Sequence, residues 1–235
     1  MSEYGLQECY VQYLRRVRCL KESSVVHYLD AIRYISEYLV RHGKLKSSVY
    51  EINDPDELEI IKAYLEQQAD YVALNERGHQ MYSAGLNNYI RFAKGEDFFA
   101  KRSKIEFIDV RIPAGSYIYS SNYRGSAIIR RQALELAHYN CEIDNSHQTF
   151  IDAKTQHQYM ESHHALALSK QNKFDCSLDV YANILCLCPN CHKLFHHGTR
   201  DAKIDLLSNI YEKRSERLAQ SGIYLSKSEF IEIAI

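Results

Sequence analysis

Apolar positions recur at helical spacing through the first hundred residues. Leu6, Tyr10, Tyr13, Leu14 and Val17 share one face of LQECYVQYLRRV, and Val25, Leu29, Ile32, Ile35 and Leu39 share one face of SSVVHYLDAIRYISEYLVRHG. That 3.6-residue period predicts two amphipathic helices, the second closed by Gly43 as a C-cap. A third start is marked by Asp54 as N-cap, Pro55 in the first turn and Glu57 three residues after the cap. A fourth segment, HQMYSAGLNNYIRFAKG, stops at Gly95. The pattern predicts a four-helix bundle over residues 1–95.

Residues 96–123 lose that period. EFIDV and SYIYSSNY have β-like composition and flank PAGS, a turn signal, which predicts a connector with strand content. A helix then runs through AIIRRQALELAHYN and delivers the chain to Cys141. Short strands, the loop KQNKFDCSLDVYAN, the strand ILCLC, a PNC turn and the helix CHKLFHHG follow. DAKIDLLSNIYEKRSERLAQ gives a last helix before Gly222, and IYLSKSEFIEIAI a strand or short helix. The expected fold class is α+β, mostly helical, with the amino-terminal bundle followed by a smaller mixed domain over residues 124–235.

Composition narrows the setting. No apolar run approaches the roughly 18 residues of a membrane helix, and MSEYGLQECY lacks a basic–apolar signal pattern, so a cytoplasmic protein without a membrane partner is expected. Of the seven cysteines, Cys9 and Cys19 stand apart and the rest gather between 141 and 191, which in a reduced compartment points to metal and not disulfides. The net charge of −1 hides an uneven distribution. Basic residues crowd 11–48 and 101–131, while acids concentrate in EINDPDELEIIKAYLEQQAD. A neutral total of this kind is compatible with a basic face for nucleic acid. Arg124, Arg130 and Arg131 lead into the cysteine-rich stretch and are expected to contact backbone phosphate.

The ligand arithmetic of residues 141–197 is more specific. Cys188 and Cys191 form a C-x-x-C knuckle, and Cys141 offers a third thiolate from upstream. A structural zinc wants four tetrahedral ligands, and Asp144 or His147 can supply the fourth. His192 and His196 lie four apart on an expected helix, on one face, where both can bind a divalent ion with His163 as third ligand. His164 then points to the other face of its strand and is free to act as a base. His197 reads as a surface residue.

Taken together, CEID, YMESHHALALS, YANILCLCPNCH and HKLFH resemble the HNH nuclease motif, the ββα-metal fold, in its branch of predicted restriction endonucleases with a zinc knuckle. The resemblance covers 141–197 and implies that the carboxy-terminal domain is a nuclease. It implies that His163, His192 and His196 hold the catalytic ion and that His164 is the general base. It further implies that Asn183 braces the loop that orients the base, and that Glu161 stands behind the ion site. The departure is Asp144 where a cysteine is usual. The expected cofactors are Mg²⁺ or Mn²⁺, with Ni²⁺, Co²⁺ or Zn²⁺ compatible with histidine ligands, and a structural Zn²⁺. The expected function is cleavage of double-stranded DNA, in restriction or phage defence, with the bundle serving recognition or dimerisation. Cutting both strands would need a homodimer or two successive nicks. The alternatives are a restriction enzyme dependent on methylated cytosine and a noncatalytic zinc-ribbon DNA-binding protein.

Overall fold

A computed structural model describes residues 5–100, 108–114 and 125–235. The chain divides into two units, Met1–Ile108 and Asp109–Ile235, a boundary inside the stretch read as a connector. Among the described residues, no helix is long and apolar enough to cross a membrane. The chain is α+β and mostly helical, with one small antiparallel sheet.

The elements described in the first unit are all helices or helical turns. Helix α1 (Gly5–Gln12) runs on as a π-helical turn, Tyr13–Val17, and is followed by α2 (Glu22–Arg41) and a 3₁₀ turn at Val49–Glu51. Helices α3 (Pro55–Glu66), α4 (Ala69–Arg77), α5 (Met81–Lys94) and α6 (Glu96–Ala100) complete it. The apolar face of the first segment is buried at all five expected positions. Asp54 caps α3 as its sequence requires, its side chain accepting the Asp56 amide. The third segment is two helices and not one, because α3 ends at Glu66 with Gln67 as its C-cap and the chain restarts at Ala69. Residues 96–100 are also helix, where a connector was expected. Gly95, at φ +76°, closes α5 with its N–H on Arg91 and Phe92 carbonyls, and α6 begins at once. SYIYSSNY lies outside the described residues, and of EFIDV only Ile108–Val110 is described, without strand.

Tyrosines build this unit's core. Tyr10 meets Tyr89 edge-on at 5.0 Å, and Phe92 packs 5.3 Å from Tyr10 and 5.2 Å from Tyr13, geometries in which ring edges face ring faces or tilt past them. Buried hydroxyls need partners. Tyr10 donates to Asn88 Oδ1 at 3.0 Å, and Tyr13 donates to the carboxylate of Asp97. Asp97 is itself buried and paired with Arg91 at 2.7 Å and Arg18 at 3.4 Å.

The second unit is organised around two short strands. Strand β1 (Glu161–His164) pairs antiparallel with β2 (Ile184–Leu187), in the register Glu161↔Leu187, Ser162↔Cys186, His163↔Leu185, His164↔Ile184. Helix α7 (Ala127–Leu136) packs on both strands, and α8 (Pro189–His197) leaves β2 directly and returns along the sheet. The strand ends one residue earlier than its sequence implies, because Cys188 is the N-cap of α8, its sulfur accepting the Cys191 amide. Helix α9 (Arg200–Gln220) and α10 (Lys227–Ala234) follow, so the tail is a short helix, closed by a capping box between Ser226 and Glu229.

Arg214 of α9 ties these pieces together. Only 7% exposed, it donates to the carbonyls of Tyr181 (3.1 Å), Ala182 (3.3 Å) and Ile184 (3.3 Å) and to the carboxylate of Glu142. Glu142 also accepts the Cys186 amide at 2.7 Å, and its own N–H reaches the Cys186 carbonyl at 2.9 Å. The segment carrying Cys141 is thereby fixed to β2.

Candidate metal centres

Cys141, His147, Cys188 and Cys191 bring four donor atoms within 4.8 Å of one another. Nδ1 of His147 lies 3.5 Å from Cys188 Sγ and 3.4 Å from Cys191 Sγ. Tetrahedral zinc, with Zn–S near 2.3 Å and Zn–N near 2.0 Å, sets sulfur and nitrogen about 3.5 Å apart. The three cysteines are buried. This group can hold a structural metal such as zinc.

Of the two candidates for the fourth donor, His147 is the one that joins the three cysteines. Asp144 Oδ1 accepts the Ser146 amide at 2.8 Å, and the Asp144 carbonyl accepts the His147 amide at 3.1 Å. This tight turn swings the imidazole onto the knuckle while the carboxylate stays outside it. Asp144 Oδ2 stands 3.8 Å from His147 Nε2, the ring nitrogen away from the sulfurs, where it can orient the ring.

The thiols are unequal. Burial pushes Cys191 up, and the neighbouring Cys188 adds to it. Burial acts on Cys141 as well, but amides of Cys188 and Asp144 and the His147 ring outweigh it and bring the thiol down to about 7. Ionising all three together calls for a cation. Cys186 is held well above the ordinary thiol range, first by burial and then by Glu142, and remains a core side chain. Cys176 is likewise buried and contacts the Gly222 carbonyl.

A second cluster joins β1 to α8. The rings of His163 and His192 are 5.0 Å apart, those of His163 and His196 5.1 Å, and those of His192 and His196 4.8 Å. Nε2 of His192 and Nε2 of His196 approach to 3.1 Å. The i, i+4 spacing puts both on the face of α8 that lies over His163. Burial pushes His163 down to about 3, helped by the two neighbouring imidazoles, so it is neutral near pH 7 and keeps a free lone pair. His196 is lowered by burial and by His192. The cluster opens to solvent at His196, and His197 is exposed as expected.

Glu161 shares the His163 face of β1, two residues away. Its Oε2 lies 2.5 Å from His192 Nδ1 and its Oε1 accepts the Tyr159 hydroxyl at 3.1 Å. Burial alone would raise this carboxyl, but those two hydrogen bonds outweigh it and hold the group below its ordinary range. With Nδ1 engaged by Glu161, His192 presents Nε2 to the cluster. Three imidazoles backed by a carboxylate suit a divalent ion and leave coordination positions open.

His164 projects from the other face of β1. Its Nε2 lies 2.9 Å from Oδ1 of Asp179, a residue 2% exposed. Asn183 is fully buried, with Oδ1 on the Leu166 amide (2.8 Å) and Nδ2 on the carbonyls of Leu166 (2.9 Å) and Leu178 (2.8 Å). It braces the chain beside His164 and is a donor in neither metal group.

Arg124 lies outside the described residues. Arg130 and Arg131 are half-buried on α7, and the Nε of each is buried with no hydrogen-bond partner among the described residues. They are thus less free than an exposed phosphate-contacting pair. The residues that sequence reasoning passed over are Asp179, Tyr159, Glu142 and Arg214. None stands at a ligand spacing, so their roles come from tertiary contacts. No family model, no curated protein and no solved structure matches the chain.

Proposed function

We propose that the second unit is a ββα-metal nuclease domain of the HNH type and that the chain is a metal-dependent DNA endonuclease, of the restriction or defence kind. The observation that carries the reading is the convergence of His163, His192 and His196 on one face of the β1–α8 pair, with His164 on the other. The Cys141–His147–Cys188–Cys191 group at the start of α8 adds a clamp that would keep that helix in place.

A divalent ion held by His163, His192 and His196 would supply Lewis-acid stabilisation of charge building on a phosphate. The chain's own part is positional and protolytic. Glu161 orients His192, and the half-buried His163 stays neutral and available as a ligand. His164 takes a proton from a water whose oxygen attacks phosphorus, work a neutral imidazole does near pH 7. As the new P–O bond forms, the bond to the 3′-oxygen breaks and that oxygen gains a proton from solvent, which leaves 5′-phosphate and 3′-hydroxyl ends. The first unit is assigned to target recognition or dimerisation.

The test is nicking of supercoiled plasmid by the full chain. Nicking with Mg²⁺ or Mn²⁺ that EDTA abolishes, and that His164→Ala lowers on the order of 10²–10⁴-fold, is the expected result. DNA binding without nicking in Mg²⁺, Mn²⁺, Ni²⁺, Co²⁺ or Zn²⁺ would overturn it in favour of a noncatalytic zinc-ribbon binder.

A further inference from the structure

Resting on the reading of His164 as the base, we propose that Asp179 is its positioning residue: it fixes the imidazole in the Nε2–H tautomer and leaves Nδ1 as the nitrogen that accepts the proton. A carboxylate accepts hydrogen bonds and donates none, so the 2.9 Å contact between His164 Nε2 and Asp179 Oδ1 makes Nε2 the donor. A neutral imidazole carries one N–H. Once Nε2 holds it, Nδ1 is the free base.

The surroundings fix this pair from three sides. Asp179 Oδ2 accepts the Ser126 amide at 2.6 Å, at the N-cap of α7, and the Asp179 amide donates to Ser177 Oγ at 3.1 Å. Gly125, at φ +79°, lets that N-cap come close. A Cβ there would stand 3.1 Å from both Asp179 Oδ1 and His164 Cε1. Asn183 closes the third side. Its amide bridges Leu166, two residues after His164, and Leu178, one before Asp179, so it sets the separation between the segments that carry the two partners. When Nδ1 gains a proton, the imidazolium has a buried carboxylate already in contact with its other nitrogen.

The experiment reads the tautomer first, because that readout needs no activity. Long-range ¹⁵N–¹H correlation spectra of the full chain labelled with ¹⁵N-histidine, at about pH 8 where an ordinary imidazole is neutral, identify the His164 signals by their loss in His164→Gln. The Nε2–H tautomer is expected in the wild type, and a mixture or the Nδ1–H form in Asp179→Ala. Asp179→Asn has one acceptor oxygen for two donors: with that oxygen kept by the Ser126 amide, its NH2 faces His164 and should invert the ring to the Nδ1–H form, and it serves in place of Asp179→Ala if that variant does not fold. An Nδ1–H tautomer in the wild type, or a tautomer unmoved by Asp179→Ala, would overturn the proposal.

Plasmid nicking then reads its consequence. Asp179→Ala should lower kcat tenfold or more, up to the 10²–10⁴-fold that a general base contributes, with KM changed less than about twofold and no recovery in Asp179→Asn. Full activity in Asp179→Ala beside an inactive His164→Gln sinks the positioning role and spares the nuclease. Full activity in both variants sinks the assignment of His164 as base, and the spectra still judge the pair.

Discussion

His192 Nδ1 lies 2.5 Å from Glu161 Oε2, across the gap between α8 and β1. The contact decides which nitrogen His192 offers to the cluster. It also makes one strand serve two purposes, since Glu161 and His163 leave the same face of β1 two residues apart. Removing the charge while keeping the shape should leave the ring less firmly oriented and less basic. Glu161→Gln is expected to weaken binding of Mn²⁺ by about 10- to 100-fold with an unchanged fold, as read by calorimetric titration. Affinity within a factor of two of wild type would show that Glu161 does not orient the ligand.

The fourth zinc ligand separates two neighbours. Elemental analysis should find about one zinc per chain in the purified wild type. His147→Ala should lose it and lower the melting temperature, because structural metal binding adds directly to folding free energy. Asp144→Asn should keep it, since that carboxylate sits 3.8 Å behind the ring and touches no sulfur. Zinc lost in Asp144→Asn but retained in His147→Ala would reverse the assignment.

This pair marks where the sequence stops being legible. Spacing alone put Cys188 with Cys191 and His192 with His196, because each pair sits within one helical turn of α8. The choice between Asp144 and His147 depended on the direction of a turn, set by a hydrogen bond to Ser146 that no spacing rule encodes. The same holds for the break between α3 and α4, which falls at Gln67–Gln68 with neither glycine nor proline to announce it. Residues 96–100 misled for another reason. Asp97 is buried against Tyr13, Arg18 and Arg91, and the first two come from a distant part of the chain that local pattern does not encode.

Asp97 also gives the first unit a pH signature. Burial by itself raises its carboxyl, but the Tyr13 hydroxyl and the Arg91 and Arg18 guanidiniums outweigh it and hold the group below the ordinary carboxylate range. A carboxyl depressed in the folded state stabilises the fold fully at neutral pH. That contribution is lost as pH falls below about 4 and through the folded-state value. Asp97→Asn should therefore cost about 1.5–3 kcal/mol at pH 7, the worth of a hydrogen bond to a charged group. Denaturant melts of variant and wild type should converge on acidification. A gap between them that stays constant from pH 7 to pH 3 would rule this linkage out.

The last prediction concerns how the second unit can be isolated. A fragment starting near Tyr123 would keep both candidate metal centres, but it would lose residues 109–114, which belong to the packing of the second unit. Asp109 is 5% exposed and pairs with Arg217 Nε at 2.5 Å. Ile112 is 3% exposed, and its carbonyl accepts the Ser177 amide at 2.7 Å. Asp175 accepts the Ala114 amide at 3.2 Å, beside the bridge between Pro113 and Cys176. Ser177 is two residues from Asp179, so this short segment supports the loop that faces His164. Its two backbone hydrogen bonds are worth about 1 kcal/mol each, and burial of Ile112 adds about 1.5–3 kcal/mol. A fragment beginning at Asp109 should accordingly be more stable than one beginning at Gly125 by about 3–5 kcal/mol, measured by urea unfolding with zinc present. The longer fragment should nick plasmid with little sequence preference and with a steep loss of activity as salt rises, as binding through phosphate contacts requires. Equal stability of the two fragments would show that residues 109–114 are dispensable to the fold of the second unit. Cut sites identical to those of the full chain would move recognition out of the first unit and into the second.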